Sequence, residues 1–278
     1  MKAAIFNTNG EKGKQIDLPK QFSEEIRPDL IKKAALVIQF SKKQPYGSAE
    51  RAGKRHSATL SRRRRDFKGS YGKGISRVPR KTMLRRGTQF HWVGAVAPGT
   101  VGGRRAHPPK PSKILSIKIN KKENRKAIRS AMAATLNKEF LQQKGMTALD
   151  NLPIIIDKLE SITKTKDLKL LLEKLGLKNE LARSKNKKIR AGVGKLRGRK
   201  YKIPRGPLLV ISKESPITKA CNFQGFEVSL VDSLNTDILA PGATPGRLVI
   251  WSLDSIDRLE KEKLFMIDKP KPKKEVKK

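Results

Sequence analysis

Apolar residues recur at usable spacings over two stretches of the chain and at none over the stretch between them. Ala3 to Asn7 reads as a short strand, and Gln15 to Leu18 as a second extended piece. Pro28 suits the first position of a helix on which Leu30, Ile31, Ala34, Ala35, Val37 and Ile38 share one face. Asn120 followed by Glu123 has the form of a capping box. It opens a helix with the apolar face Ala127, Ile128, Ala131, Met132 and Thr135, running to about Leu141. Leu152 to Ile156 is an almost wholly apolar strand. Thr165 then opens a helix carried by Leu168, Leu171, Leu172 and Leu175 and stopped by Gly176. Further strands fall at Leu208 to Ile211, Phe226 to Val231 and Leu248 to Trp251. Ser215 and Pro216 have the form of an N-cap and first helical position, and a closing helix runs from Leu253 or Asp254 to Lys263. Short apolar strands alternating with helices predict an α/β fold, a mostly parallel sheet with helices on both faces in a Rossmann-like three-layer arrangement. No internal repeat is evident.

From Ser41 to Lys113 the pattern fails. Glycine and proline punctuate the stretch from Pro45 to Pro111, and no apolar period of 2 or 3.6 survives them. Ordering such a segment costs about 1 to 2 kcal/mol per residue in backbone entropy, with little local apolar burial to offset it. The expectation is an extended loop without structure of its own, inserted near the N-terminus and ordered by a partner. Folded in two, each arm of roughly 35 residues could reach on the order of 100 Å. The expected organisation is one α/β domain of residues 1–43 and 114–265, the loop at 44–113, a second basic loop at 183–205 within the domain, and a basic tail at 266–278.

Charge names the partner. The 278 residues carry a formal net charge of +39, of which Ser41 to Lys113 holds +18, with twenty Lys or Arg against Glu50 and Asp66. Arg183 to Arg205 adds +11 with no acid, whereas 206–265 is near −2. Basicity localised in two segments marks a polyanion-binding face. Tyr46, Phe67, Tyr71, Phe90 and Trp92 are interleaved with Arg62, Arg63, Arg64, Arg65, Arg77, Arg80, Arg85, Arg86, Arg104 and Arg105. Guanidinium forks for phosphates beside flat rings for unstacked bases fit irregular RNA better than a solvated linker.

Catalysis has no visible home. Gly192, Gly194 and Gly198 imitate a dinucleotide fingerprint with no strand before them, and no Gly-Lys pair has the Ser or Thr of a P-loop. His56, His91 and His107 stand alone within the loop, and the single Cys221 reads as a small core residue in a reducing compartment. No cofactor, metal or small-molecule substrate is expected. The apolar run in Met1 to Gly10 is too short for a signal peptide, and no stretch approaches membrane-spanning length, so a soluble cytoplasmic protein is expected.

Five strings carry a resemblance over most of the chain: YGSAERAGKRHSAT (Tyr46 to Thr59), RRAHPPK (Arg104 to Lys110), IRSAMAAT (Ile128 to Thr135), IRAGVGKLRGRKYK (Ile189 to Lys202) and LAPGATPGRLVIW (Leu239 to Trp251). In their order they resemble the universal large-subunit ribosomal protein four family in its archaeal and eukaryotic form. The missing long C-terminal extension favours the archaeal type. The resemblance implies an α/β domain on the outer face of the large subunit and a long loop threaded through rRNA to the polypeptide exit tunnel. It also implies early rRNA binding, contacts with several rRNA domains, and monomeric incorporation. Neighbouring ribosomal proteins, including another tunnel-lining hairpin protein, and the passing nascent chain are the implied partners. By position, the RNA contacts within the strings would be Arg51, Lys54, Arg55, Arg104, Arg105, His107 and Lys110, then Arg190, Lys195, Arg197, Arg199 and Lys200. Arg62 to Arg65, Arg77, Arg80, Lys81, Arg85 and Arg86 join them from the charged loop, with Tyr71, Phe90, His91 and Trp92 as stacking rings or tunnel tip. The rival readings are a free RNA chaperone or nucleoid-type protein, and an RNA-modifying α/β enzyme whose only cofactor-loop candidate is Asn9 to Gly13.

Overall fold

Ile154–Ile156, Leu208–Ile211 and Val249–Ser252 are buried at every position, which is why they lack the polar alternation of half-exposed strands. They form the middle of a six-stranded sheet in a computed structural model that describes residues 1–147, 149 and 151–266. The expected basic tail, Met266 apart, lies outside the described residues. In chain order the first elements are β1 (Lys2–Phe6), β2 (Lys12–Asp17), α1 (Pro28–Ser41), β3 (Ala58–Thr59), β4 (Arg80–Arg86) and β5 (Gln89–Gly94). Next come α2 (Lys121–Ala134), α3 (Lys138–Gln143), β6 (Ile154–Ile156), α4 (Thr165–Lys174), α5 (Lys178–Lys185), β7 (Lys188–Ile189) and β8 (Tyr201–Lys202). The last are β9 (Leu208–Ile211), α6 (Ile217–Ala220), β10 (Glu227–Leu230), α7 (Thr236–Leu239), β11 (Val249–Ser252) and α8 (Leu253–Lys261). Contacts divide the chain into one unit of Met1–Lys42 and Ile117–Lys278 and another of Lys43–Ser116.

In the first unit the sheet order is β10-β9-β11-β6-β1-β2. All neighbours are parallel except β1 and β2, an antiparallel pair at one edge, so the sheet is mixed and mostly parallel. One row of register runs Ile5, Ile155, Trp251, Val210 and Ser229. Alternate residues of the central strands enter two different cores. Ile155, Trp251, Val210 and Leu208 pack with Ile31 of α1, Ile128 and Met132 of α2, and Ile256 and Leu259 of α8. Ile154, Ile156, Leu209, Ile211 and Ile250 pack with Leu168, Leu171 and Leu172 of α4, Leu181 of α5 and Ile217 of α6. Trp251 lies fully buried at the centre of the first core, edge-on to Phe22 with ring centroids 5.1 Å apart. Cys221 packs at the margin of the second core, where burial pushes its thiol up to about 11, so it stays a neutral packing residue.

Three local expectations are corrected. Asn120 stands at the N-cap of α2 but its side chain makes no capping bond, and Glu123 reaches across to Lys33 of α1 at 2.8 Å in place of closing the box. The helix expected to run to Leu141 stops at Ala134, because Asn137 caps a new helix by accepting the Glu139 N–H at 2.9 Å. Ser215 is not an N-cap: Pro216 occupies that position in α6, and the Ser215 hydroxyl has no partner. The α5 helix was not anticipated, since of its residues only Glu180, Leu181 and Ser184 are buried.

The second unit corrects the largest expectation. The stretch expected to be without structure of its own contains a three-stranded antiparallel sheet, β3-β4-β5. The physical reason is local. Arg86 pairs with Gln89 across a two-residue turn in which Gly87 takes φ +53°, the hairpin geometry that glycine permits. Along β5 exposure alternates strictly, with Phe90 and Trp92 half-buried and His91 and Val93 exposed.

Candidate nucleic-acid interface

The hairpin sorts the loop's side chains onto two faces. Phe90 meets Phe67 edge-on at 5.2 Å and lies tilted against Trp92 at 6.0 Å. Cations cover these rings. Arg85 stands 5.3 Å from the Phe67 centroid and 5.5 Å from that of Phe90, Lys68 stands 5.4 Å from Phe90, and Arg80 stands 5.3 Å from Trp92. Arg77 lies 4.4 Å over Tyr71. Three of the four predicted stacking residues, Tyr71, Phe90 and Trp92, are thus engaged within the unit, whereas His91 faces outward beside exposed Val93 and Leu84. Sequence reading missed the contribution of Lys68 and Lys73 to this aromatic face, and missed exposed Met83.

Arg51 and Lys54, at either end of one turn, stand with Arg55 within one arm of the unit, and Arg104, Arg105, His107 and Lys110 within the other. Arg62, Arg63, Arg64 and Arg65 are exposed. Asp66 beside them is used internally: it accepts the Ser61 hydroxyl at 2.5 Å and the Phe67 N–H at 2.9 Å, and these bonds hold its carboxyl below the usual range.

In the first unit, the second basic loop begins later than expected: Arg183 to Lys185 close α5, and the chain from Asn186 to Arg205 forms a small ribbon. Its strands β7 and β8 pair Lys188 with Lys202 and Ile189 with Tyr201, and the Arg190 N–H donates to the Lys200 carbonyl at 2.9 Å. A 3-10 turn at Val193–Leu196 makes the tip. Arg190, Lys195, Arg197, Arg199 and Lys200 are all exposed, and Lys187 lies 4.6 Å over Tyr201. The ends of the ribbon are anchored. Arg183 pairs with fully buried Glu180 and donates to the Arg205 carbonyl, and Arg205 pairs with Glu227, which also holds buried Arg247 at 2.8 Å.

A contrast in pairing separates the two populations of cations. Arg27, Arg129, Arg183, Arg205, Arg247 and Arg258 of the sheet unit each have a carboxylate partner. Among the described residues, none of the predicted RNA-contacting cations has one within 4.0 Å; where Arg80, Arg85 and Arg104 donate, they donate to nearby backbone carbonyls. Unneutralised cations at this density repel one another and remain available to an external polyanion.

The enzyme alternative meets a geometric obstacle. Asn9 to Gly13 lies at the turn between β1 and β2, so the chain continues into a strand and offers no helix N-terminus to a phosphate. Gly192, Gly194 and Gly198 belong to the ribbon tip and not to a strand-to-helix turn of the main sheet. Among the described residues no group of three or more His, Cys, Asp or Glu could hold a metal ion, and no helix is long and apolar enough to cross a membrane.

Comparison with known proteins matches residues 16–262 to the model of the ribosomal protein L4/L1 family. The chain is 46% identical over 267 residues to the large ribosomal subunit protein uL4 of Nanoarchaeum equitans, covering 95% of this chain and 100% of that one. It is 45% identical to the uL4 of Methanocaldococcus jannaschii, over 94% of this chain and 98% of the relative, and 40% identical to that of Archaeoglobus fulgidus, over 93% and 98%. Both basic segments and the strands β6, β9, β10 and β11 of the main sheet fall inside the matched span, so the geometry and the likeness concern the same residues, and the chain belongs to the ribosomal protein L4/L1 family.

Proposed function

We propose that this chain is a structural constituent of the large ribosomal subunit, of archaeal type, working in the cytoplasm and carrying out no catalysis. Its role is to bind large-subunit rRNA early in assembly. The sheet unit, read as a Rossmann-like three-layer domain, docks on folded rRNA, while the 43–116 unit, an insertion near the N-terminus, reaches between several rRNA domains to the exit-tunnel wall. One observation carries this reading: among the described residues none of the predicted RNA-contacting Lys and Arg has a carboxylate partner within 4.0 Å, whereas Arg129, Arg183, Arg205 and Arg247 each have one. Arg62 to Arg65, Arg77, Arg80, Lys81, Arg85 and Arg86 would take phosphates along the hairpin, with Arg51, Lys54, Arg55, Arg104, Arg105, His107 and Lys110 at its base. Arg190, Lys195, Arg197, Arg199 and Lys200 would do so on the ribbon. His91 faces outward for stacking, and exposed Met83 and Leu84 are apolar groups suited to a tunnel lining. Neighbouring ribosomal proteins, among them a second tunnel-lining hairpin, and the nascent chain complete the partners.

Sedimentation tests this. Tagged protein in a cell lysate is expected to move with the large subunit and to stay there through a wash at about 0.5 M monovalent salt, because many contacts must release together. Protein found spread over light ribonucleoprotein fractions, and stripped by that wash, would contradict it.

A further inference from the structure

The carboxylate of Glu50 stands where a phosphate-binding surface has no use for it. Of the two acids in the loop, Asp66 is consumed by Ser61 and Phe67, whereas Glu50 has no hydrogen bond or ion pair among the described residues. Glu50 lines a cavity of about 980 Å³ between the two arms of the 43–116 unit, with Lys54, Arg104, Arg105, His107 and Pro109 among its walls. The arms are held close by glycines on either side of it. A Cβ on Gly47 would stand 2.4 Å from the Pro111 ring and 2.6 Å from the Pro109 carbonyl, and one on Gly53, at φ +70°, 2.8 Å from Arg104. A second cavity of about 580 Å³ shares Arg105, His107 and Pro109 and adds the exposed ring of Tyr46.

A ligand of this cavity must satisfy cations and one carboxylate together. A nucleotide does so if its phosphates meet Arg104, Arg105 and Lys54 and its base offers donors to Glu50. Guanine alone presents two adjacent donors, N1–H and N2–H, on its Watson–Crick edge; adenine, cytosine and uracil set an acceptor beside each donor, which a carboxylate repels. The volume is within the range of pockets that enclose ligands of nucleotide size.

Resting on the rRNA-binding reading above, we propose that this cavity takes a guanosine extruded from the RNA stack, read by Glu50 and bounded by His107 and the prolines. Tyr46 and His107 in the adjoining cavity offer rings to the next base.

The test uses the full chain and a pool of single-stranded RNA decamers randomised at every position. RNAs retained by the unaltered protein are expected to be enriched in guanine at one position. Inosine there, lacking the N2 donor, should weaken binding roughly tenfold. Glu50→Gln and Glu50→Ala should abolish both the enrichment and the inosine effect and leave the salt dependence unchanged. The proposal is overturned if RNA binds without guanine enrichment, if the enrichment survives in both variants, or if the variants bind every sequence more tightly with no change in preference, which would make Glu50 a mere repulsive charge. Failure of the unaltered protein to bind any RNA at low salt would instead overturn the rRNA-binding reading itself, and this proposal with it.

Discussion

Replacing residues 43–116 by a short flexible linker is expected to leave a folded sheet unit that has lost about 1,000-fold or more of its affinity for large-subunit rRNA at physiological salt. The sheet unit survives because neither of its cores contains a residue of that span. The affinity falls because the loop holds fifteen of the twenty predicted Lys and Arg contacts. If half of them meet phosphates, the slope of log affinity against log salt should flatten by about 5 to 7, at roughly 0.7 to 0.9 for each contact. Filter binding at several salt concentrations measures the slope, and circular dichroism checks the fold. Large subunits assembled with the shortened protein should be deficient. An unchanged slope, or normal assembly, would remove the loop from the binding account.

Trp251→Ala should do the opposite, destabilising the fold without altering how the folded protein recognises RNA. Trp251 is fully buried between Ile155 and Val210 in the register of the central strands and packs edge-on to Phe22. Truncation at such a site costs about 3 to 5 kcal/mol from lost transfer energy and the residual cavity. For a unit of this size that lowers the melting temperature by roughly 10 °C. Trp251→Phe should cost much less, since the indole Nε1 makes no hydrogen bond whose loss would add to the smaller volume. At temperatures where the variants remain folded, the salt slope of rRNA binding should match the unaltered protein, because the cations of the basic segments are untouched. Thermal unfolding by circular dichroism, with binding measured at low temperature, separates the two effects.

The contrast between these two variants reflects what could be read in the sequence. Ile154 to Ile156, Leu208 to Ile211 and Val249 to Trp251 were legible as strands because burial on both faces leaves an uninterrupted apolar run. The antiparallel return of β2 was less so. Lys12, Lys14 and Asp17 point into solvent on an edge strand, and nothing in their pattern specifies a partner. Local cap chemistry misled where a tertiary contact competed, as when Glu123 took Lys33 in preference to the Asn120 backbone. The hairpin of the second unit was hidden by its own punctuation. Glycines suggested disorder, yet Gly87 is what allows β4 to turn into β5, and the cluster of exposed Phe67 with half-buried Phe90 and Trp92 is covered by cations in place of aliphatic side chains.

For the interface, composition located the charges but could not show which were already spent. Arg183 and Arg205 look like their neighbours in sequence, and only the fold brings Glu180 and Glu227 against them. Glu50 and Asp66 were likewise indistinguishable as two acids in a basic loop, until the Ser61 turn accounted for one and left the other facing a cavity.

Ultraviolet crosslinking in intact cells, with sequencing of both the attached RNA and the attached peptide, tests the central claim most directly. The account predicts crosslinks from Ser41 to Lys113 and from the 183–205 ribbon, confined to a few sites in large-subunit rRNA. Crosslinks from these segments scattered over many unrelated RNAs would contradict it and make the protein a free RNA chaperone.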